Sequence, residues 1–311
     1  MSQVIKKIKK QYEKSKLAGN KAMTNLGLRI FSRNKNVKNI YTKKNIFYGP
    51  EKLQKYDVIF PQKAIGNLPI VFYIHGGAWC GGDKYGYTTF CKNLAKQGYA
   101  ICNVDYRLMP KVSVKTCVQD CILATKHFAR HADALLKEAK INAKIDMANT
   151  FFVGDSAGAH LSSLLAGLYS TQTQKNKFCI KALGLYYGVY DFEHLSNDPS
   201  PLMRDLEKYW LDNEKNPQKI LHYISSTNYV TKNFPPCFLT SGEIDKLHFQ
   251  TEVFAKLLKY NGIETDYLCF DKSRLDAEHA FLNAGFLPSA KLAFERLTKF
   301  FEKKRTKNAQ K

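Results

Sequence analysis

No segment of this 311-residue chain approaches the roughly 18–20 consecutive apolar residues of a membrane-spanning helix, so no transmembrane segment is expected. CxxC pairs and zinc-finger spacings are missing as well, as is any basic-aromatic RNA-binding signature. Those gaps argue against a metal-stapled module and against specific nucleic-acid recognition. The first sixteen residues carry lysines but no apolar block and no small-residue cleavage site. No secretory leader is therefore expected, and the reading is cytoplasmic.

Acids are scarce at both ends. Residues 1–44 hold thirteen Lys or Arg against the single Glu13, and residues 299–311 hold six against Glu302. Seventeen charges of the net +21 thus sit in the termini, and the middle of the chain is nearly balanced. Basic ends attract polyanions and anionic lipid without specifying one. In the first of them, Val4, Ile5, Ile8 and Tyr12 share one helical face among lysines. That short stripe suits packing as part of a cap, beside the irregular segment 190–233, or weak peripheral contact with an anionic membrane.

What is present is a large apolar inventory: 44% hydrophobic and 13% aromatic residues, enough for a sizeable core and incompatible with a disordered chain. The eight cysteines lie mostly within apolar stretches without regular spacing, as reduced thiols would. Strand and helix patterns alternate, which favours a mostly parallel sheet covered by helices. Leu68 to Ile74 is an almost purely apolar run, as a buried central strand should be. Helices are expected over 83–97, 114–137, 160–169, 251–260 and 289–301, with further strands over 99–104, 151–153, 182–187, 236–240 and 266–270. Between Tyr190 and Asn233 the alternation breaks down around Pro199, Pro201 and Pro217. A structureless loop of that length is improbable in a compact domain, so the segment reads as a helical insertion, amphipathic over 202–211.

Four clusters carry chemistry. Gly154-Asp155-Ser156-Ala157-Gly158 stands between a strand and a helix, the setting that a serine elbow requires. His75-Gly76-Gly77-Ala78-Trp79 follows the central strand, and paired glycines let backbone N–H groups face an oxyanion. His75 itself suits orienting that loop better than carrying a proton. A serine needs a base, and the base an orienting acid; the chain order for this architecture is serine, acid, histidine. Downstream, Phe238 to Asp245 is a strand and glycine turn bearing Glu243 and Asp245, and Glu278-His279 follows the last strand. Asp245, just before the next helix, is the better-placed acid, with Glu243 as alternative. His127, His131, His194, His222 and His248 have no comparable setting.

Together with Asp105-Tyr106-Arg107-Leu108-Met109-Pro110, these motifs resemble the hormone-sensitive-lipase-like esterases of the α/β-hydrolase fold, over about residues 70–281. The resemblance implies Ser156 as nucleophile, Asp245 and His279 as its partners, and Gly76, Gly77 and Ala157 as oxyanion donors. It makes Asp105, Tyr106 and Arg107 a structural brace, and forms a cap from residues 1–45 and the insertion 190–233. The core is then 46–189 with 234–303, and 304–311 a basic tail. Trp79 and Asp155 are expected at the substrate pocket. The implied activity is hydrolysis of short-chain carboxylic esters without metal or cofactor. Ala159-His160, where that family often has Gly-Asn, also resembles kynurenine formamidase-like and acetylesterase relatives. A formamidase acting on an N-formyl aromatic amine is the enzymatic alternative. A non-catalytic ligand receptor of the same fold would be expected to lack the histidine that stands here at 279.

Overall fold

The computed structural model describes residues 37–171, 178–194 and 216–305. The N-terminal stripe around Val4 to Tyr12, the amphipathic piece 202–211 and the tail from 306 lie outside them.

The near-continuous apolar runs form the middle of an eight-stranded sheet, where both faces are covered. The strands are β1 (Ile40–Phe47), β2 (Lys55–Pro61), β3 (Gly66–Ile74), β4 (Ala100–Val104), β5 (Ala143–Asp155), β6 (Ile180–Tyr186), β7 (Cys237–Gly242) and β8 (Thr265–Phe270). Their spatial order is β1-β2-β4-β3-β5-β6-β7-β8. All pairings from β4 through β8 are parallel, whereas β2 runs antiparallel to both of its neighbours. The two leading strands are a departure from the sequence expectation. The charge pattern places residues up to 45 in the basic arm, yet Ile40–Phe47 forms the sheet edge. Its lysines are compatible with that place, because charged side chains and the register shift between Lys43 and Ile46 discourage further strand addition.

Helices cover both faces. α1 (Thr88–Lys96) follows a 3₁₀ turn at Lys84–Tyr87 that Asp83 caps through the N–H groups of Tyr85 and Gly86. α2 (Val114–Glu138) starts at Ser113, whose hydroxyl accepts from Thr116 N–H. α3 (Ala157–Thr171), α4 (Pro217–Ile224), α5 (His248–Tyr260) and α6 (Pro288–Lys304) follow. Cys117, Cys121, Phe128 and Leu164 from α2 and α3 pack on Phe72 and Phe152 of one sheet face. Leu94 of α1 and Leu297, Phe300 and Phe301 of α6 pack on Val71, Phe151 and Val153 of the other. Fully burying each such side chain is worth about 1.5–3 kcal/mol, so two apolar layers hold the sheet and fix the ends of its strands.

The brace expected from Asp105 to Arg107 is present. Arg107 grips Asp120 of α2 through Nε and Nη2 at 2.8 and 2.7 Å. The Tyr106 hydroxyl donates to the His75 carbonyl at 2.9 Å. Buried Lys84 approaches Asp57 at 3.1 Å and Asp105 at 3.6 Å.

Candidate active site

In an open parallel sheet the crevice lies beyond the carboxyl ends of the strands, and the ends of four strands, two on either side of β6, deliver the polar residues here. β3 runs into His75-Gly76-Gly77, β5 into Ser156, β7 into the Asp245 loop and β8 into the loop bearing His279.

Ser156 has φ = 50°, a left-handed backbone that turns the chain from β5 into α3. Its N–H donates to Tyr186 O at 2.8 Å, so the strained residue is held from the neighbouring strand. The glycines on either side have no room for a side chain. A Cβ on Gly158 would lie 2.0 Å from Ile74 O, and one on Gly154 2.3 Å from the Gly158 carbonyl.

His279 Nε2 stands 3.1 Å from Ser156 Oγ, and its Nδ1 stands 2.8 Å from Asp245 Oδ2. A carboxylate only accepts, so Nδ1 carries the hydrogen and Nε2 presents a lone pair to the serine hydroxyl. The Asp245 side chain is fully buried, and its other oxygen accepts from Leu247 N–H at 2.8 Å. Such a line of groups can take a proton from the hydroxyl and stabilise the resulting imidazolium. Tyr187, which the sequence did not single out, packs its ring 4.9 Å from that of His279. Glu243 is exposed and its backbone N–H bonds Phe270 O; the carboxylate on His279 is that of Asp245.

The glycine loop departs from expectation at Gly76. Its N–H donates to Asp155 Oδ1 at 2.8 Å and is spent within the protein, so it does not face an incoming oxyanion. Asp155 also accepts from the hydroxyls of Tyr73 at 3.1 Å and Tyr87 at 3.0 Å. Burial pushes its carboxyl up, and these donors oppose that shift. Asp155 is thus a buried tie rather than a pocket wall. Downstream, Gly77, Ala78 and Trp79 have φ values of 122°, 51° and 59°. For Ala and Trp such a conformation costs on the order of 1–3 kcal/mol each.

Trp79 departs as well. Its side chain is 1% exposed, too enclosed to line an open acyl pocket, and its indole Nε1–H donates to His160 Nδ1 at 3.0 Å. His160 Nε2–H in turn donates to Ile224 O at 2.7 Å. No local pattern marks this role for His160, because its partners lie 64 and 81 residues away.

Burial pushes the His160 imidazole down from 6.5 to about 4. On acidification between those values the unfolded chain takes up a proton that the folded chain refuses, so stability falls. Full linkage puts the loss from this group at about 2 kcal/mol between pH 7 and pH 5. Urea unfolding of the protein and of His160→Leu at both pH values should show the steeper loss in the unsubstituted chain. Parallel losses would contradict a buried neutral His160.

Among the described residues no helix is long and apolar enough to cross a membrane, and no three His, Cys, Asp or Glu side chains cluster in a way that could hold a metal ion.

The backbone superimposes on esterases of known structure. Esterase B of Lactobacillus rhamnosis matches with a TM-score of 0.82 at 19% identity, covering 95% of this chain and 96% of that one. A bacterial heroin esterase matches with a TM-score of 0.76 at 18% identity over 94% and 93% of the two chains. The fold is that of the α/β-hydrolases. In sequence, an acetyl esterase of Salmonella schwarzengrund is 26% identical over 225 residues, which cover 69% of this chain and 65% of that protein. The matched region therefore spans slightly under two thirds of that relative. A kynurenine formamidase of Drosophila melanogaster is 25% identical over 226 residues, 72% of this chain and 71% of that protein. The model of the BD-FAE family matches residues 56–257, from β2 past the serine elbow and the Asp245 loop into α5; this is well over half of the chain, which belongs to the BD-FAE family.

Proposed function

We propose that this protein is a serine carboxylesterase that cleaves short-chain acyl esters through an acyl-enzyme. The observation that carries the proposal is the unbroken hydrogen-bonded line Ser156–His279–Asp245, with distances of 3.1 and 2.8 Å, at the carboxyl ends of the sheet. His279 Nε2 takes the proton of Ser156 Oγ as that oxygen attacks the ester carbonyl carbon. The imidazolium is stabilised by Asp245 and then protonates the departing alkoxide. Water enters, gives its proton to the same nitrogen, and its oxygen attacks the acyl-serine. The proton returns to Ser156 Oγ as the carboxylic acid leaves.

Two tetrahedral oxyanions form on this path, and each needs N–H donors that are already in place. With Gly76 bound to Asp155, the reading assigns that task to the backbone N–H groups of Gly77, Ala78 and Ala157. Ala157 lies in the first turn of α3, where the helix dipole adds positive potential. A single well-placed donor is worth roughly 3–4 kcal/mol in acyl transfer. Every step uses groups of the chain itself.

The acyl group proposed is small, in keeping with the acetyl esterase relatives. A panel of p-nitrophenyl acetate, butyrate, octanoate and dodecanoate tests this, with highest kcat/KM expected for acetyl to butyryl. Fastest turnover of the dodecanoyl ester would reassign the enzyme to long acyl chains. Absence of turnover throughout would remove the esterase reading. The formamidase relative supports a second reading, since the same machinery cleaves a formamide. N-formylkynurenine belongs in the panel for that reason, and a kcat/KM for it above all esters would favour the second reading.

A further inference from the structure

The loop beyond β3 holds a backbone that needs anchors. Gly77, Ala78 and Trp79 take three successive positive φ values, a conformation that persists for residues with a Cβ only where the surroundings over-determine it. Trp79 supplies two anchors: its carbonyl accepts from Met109 N–H at 2.9 Å, and its indole donates to His160 at 3.0 Å.

His160 is fully buried and lies on α3 four residues after Ser156. Its backbone N–H donates to Ser156 O at 3.1 Å. The ring meets the Ile224 carbonyl through Nε2 at 2.7 Å. A carbonyl only accepts, so Nε2 carries the hydrogen and Nδ1 the lone pair. One neutral tautomer therefore serves both the indole and the carbonyl. A single imidazole thus touches three separate parts of the molecule: the glycine loop, the helix that starts at the serine, and the end of α4 in the insertion. Phe192 closes the cluster, with its ring centroid 4.7 Å from that of His160 and 5.7 Å from that of Trp79. Two further bonds seat the same end of the insertion. Ser163 Oγ meets Ser226 Oγ at 2.8 Å, and Phe192 N–H donates to Ser225 Oγ at 2.9 Å.

We propose that His160 is a positioning residue for the oxyanion donors: it holds Trp79, and through it the N–H groups of Gly77 and Ala78, in register with Ser156, and it makes that register depend on the insertion being seated at Ile224. The inference rests on the carboxylesterase reading above. It gives the end of α4 a task, because its last turn supplies the acceptor that orients the His160 ring. The ring touches no reacting atom and acts only through the loop.

Space-filling alone and positioning differ in what they do to the transition state. Trp79→Phe keeps an aromatic ring and removes the indole donor. His160→Leu removes both ring bonds at similar bulk. The measurements are kcat and KM on p-nitrophenyl butyrate, inhibition by a trifluoromethyl ketone that becomes a tetrahedral oxyanion on the serine, inhibition by a ground-state amide analogue, and the thermal midpoint. Loss of one whole oxyanion donor costs roughly 10²–10³ in kcat, so a displaced loop should cost each single variant about 10–100-fold in kcat. KM and ground-state inhibition should stay within about threefold, and ketone inhibition should weaken in step with kcat. The double variant should lose no more than the worse single one, because both act through one bond.

A folded Trp79→Phe with kcat and ketone inhibition within about twofold of the unsubstituted enzyme, and only its thermal midpoint lowered, would overturn the inference. That variant decides the matter even if His160→Leu does not fold. An unsubstituted enzyme without turnover on any ester or formamide would overturn the carboxylesterase reading and this inference with it. An active enzyme matched by Trp79→Phe overturns the inference alone.

Discussion

Ser156→Ala should lower kcat/KM on p-nitrophenyl butyrate by at least about 10³-fold while leaving the fold intact. The substitution removes one oxygen, and with it the atom that His279 Nε2 faces at 3.1 Å. The fold should survive because residue 156 is held through its backbone. Its N–H bonds Tyr186 O at 2.8 Å and its carbonyl accepts from His160 N–H at 3.1 Å, and alanine bears the φ of 50° at a cost similar to that of serine. Steady-state kinetics with circular dichroism and the thermal midpoint check both halves. The variant should also resist labelling by a fluorophosphonate that modifies the unsubstituted enzyme. Turnover retained in the purified variant would remove Ser156 from the mechanism.

Asp245→Asn is expected to have an effect of comparable size, on the order of 10³–10⁴-fold in kcat, because the change acts on the tautomer of the base. The carboxylate is fully buried and accepts from His279 Nδ1 and from Leu247 N–H, both at 2.8 Å. An asparagine keeps its carbonyl oxygen on Leu247 and turns its NH₂ toward His279. Nδ1 must then accept, the ring hydrogen moves to Nε2, and the nitrogen facing Ser156 Oγ no longer has a lone pair for the proton. Glu243→Gln is the matched control. Glu243 is exposed, so its loss should change kcat by no more than about threefold. The reverse pattern, with Glu243→Gln inactive and Asp245→Asn active, would transfer the orienting role to Glu243. Together with the ester panel, these two variants separate the chemistry of the line of groups from the choice of acyl group.

The two variants rest on features that differ in how far they can be read from the chain. Ser156 between Gly154 and Gly158 is legible because the requirement is local: a sharp turn after an apolar strand tolerates no side chain two residues away on either side. The central strands are legible for a similar reason, since Leu68 to Ile74 and Phe151 to Val153 are apolar at every position and can only be buried. Asp245 and His279 follow from chain order and from standing just past strand ends, so their contact across 34 residues is legible in the chain.

Other features belong to the tertiary structure alone. β1 and β2 carry lysines and little alternation, and their place at the sheet edge depends on β4 offering an open side to pair with. Gly76 looks like Gly77 in the sequence. Only the approach of Asp155 from a strand 79 residues away takes its N–H out of use. Trp79 reads as a wall of the substrate pocket until the ends of β3, α3 and α4 meet around it and enclose it. Local sequence determines the sharp turn at Ser156 and the burial of the wholly apolar strands, because both depend on near neighbours and on polarity. The direction in which a given N–H or ring nitrogen points depends on which partner arrives from elsewhere in the chain, and that is decided only when the layers close.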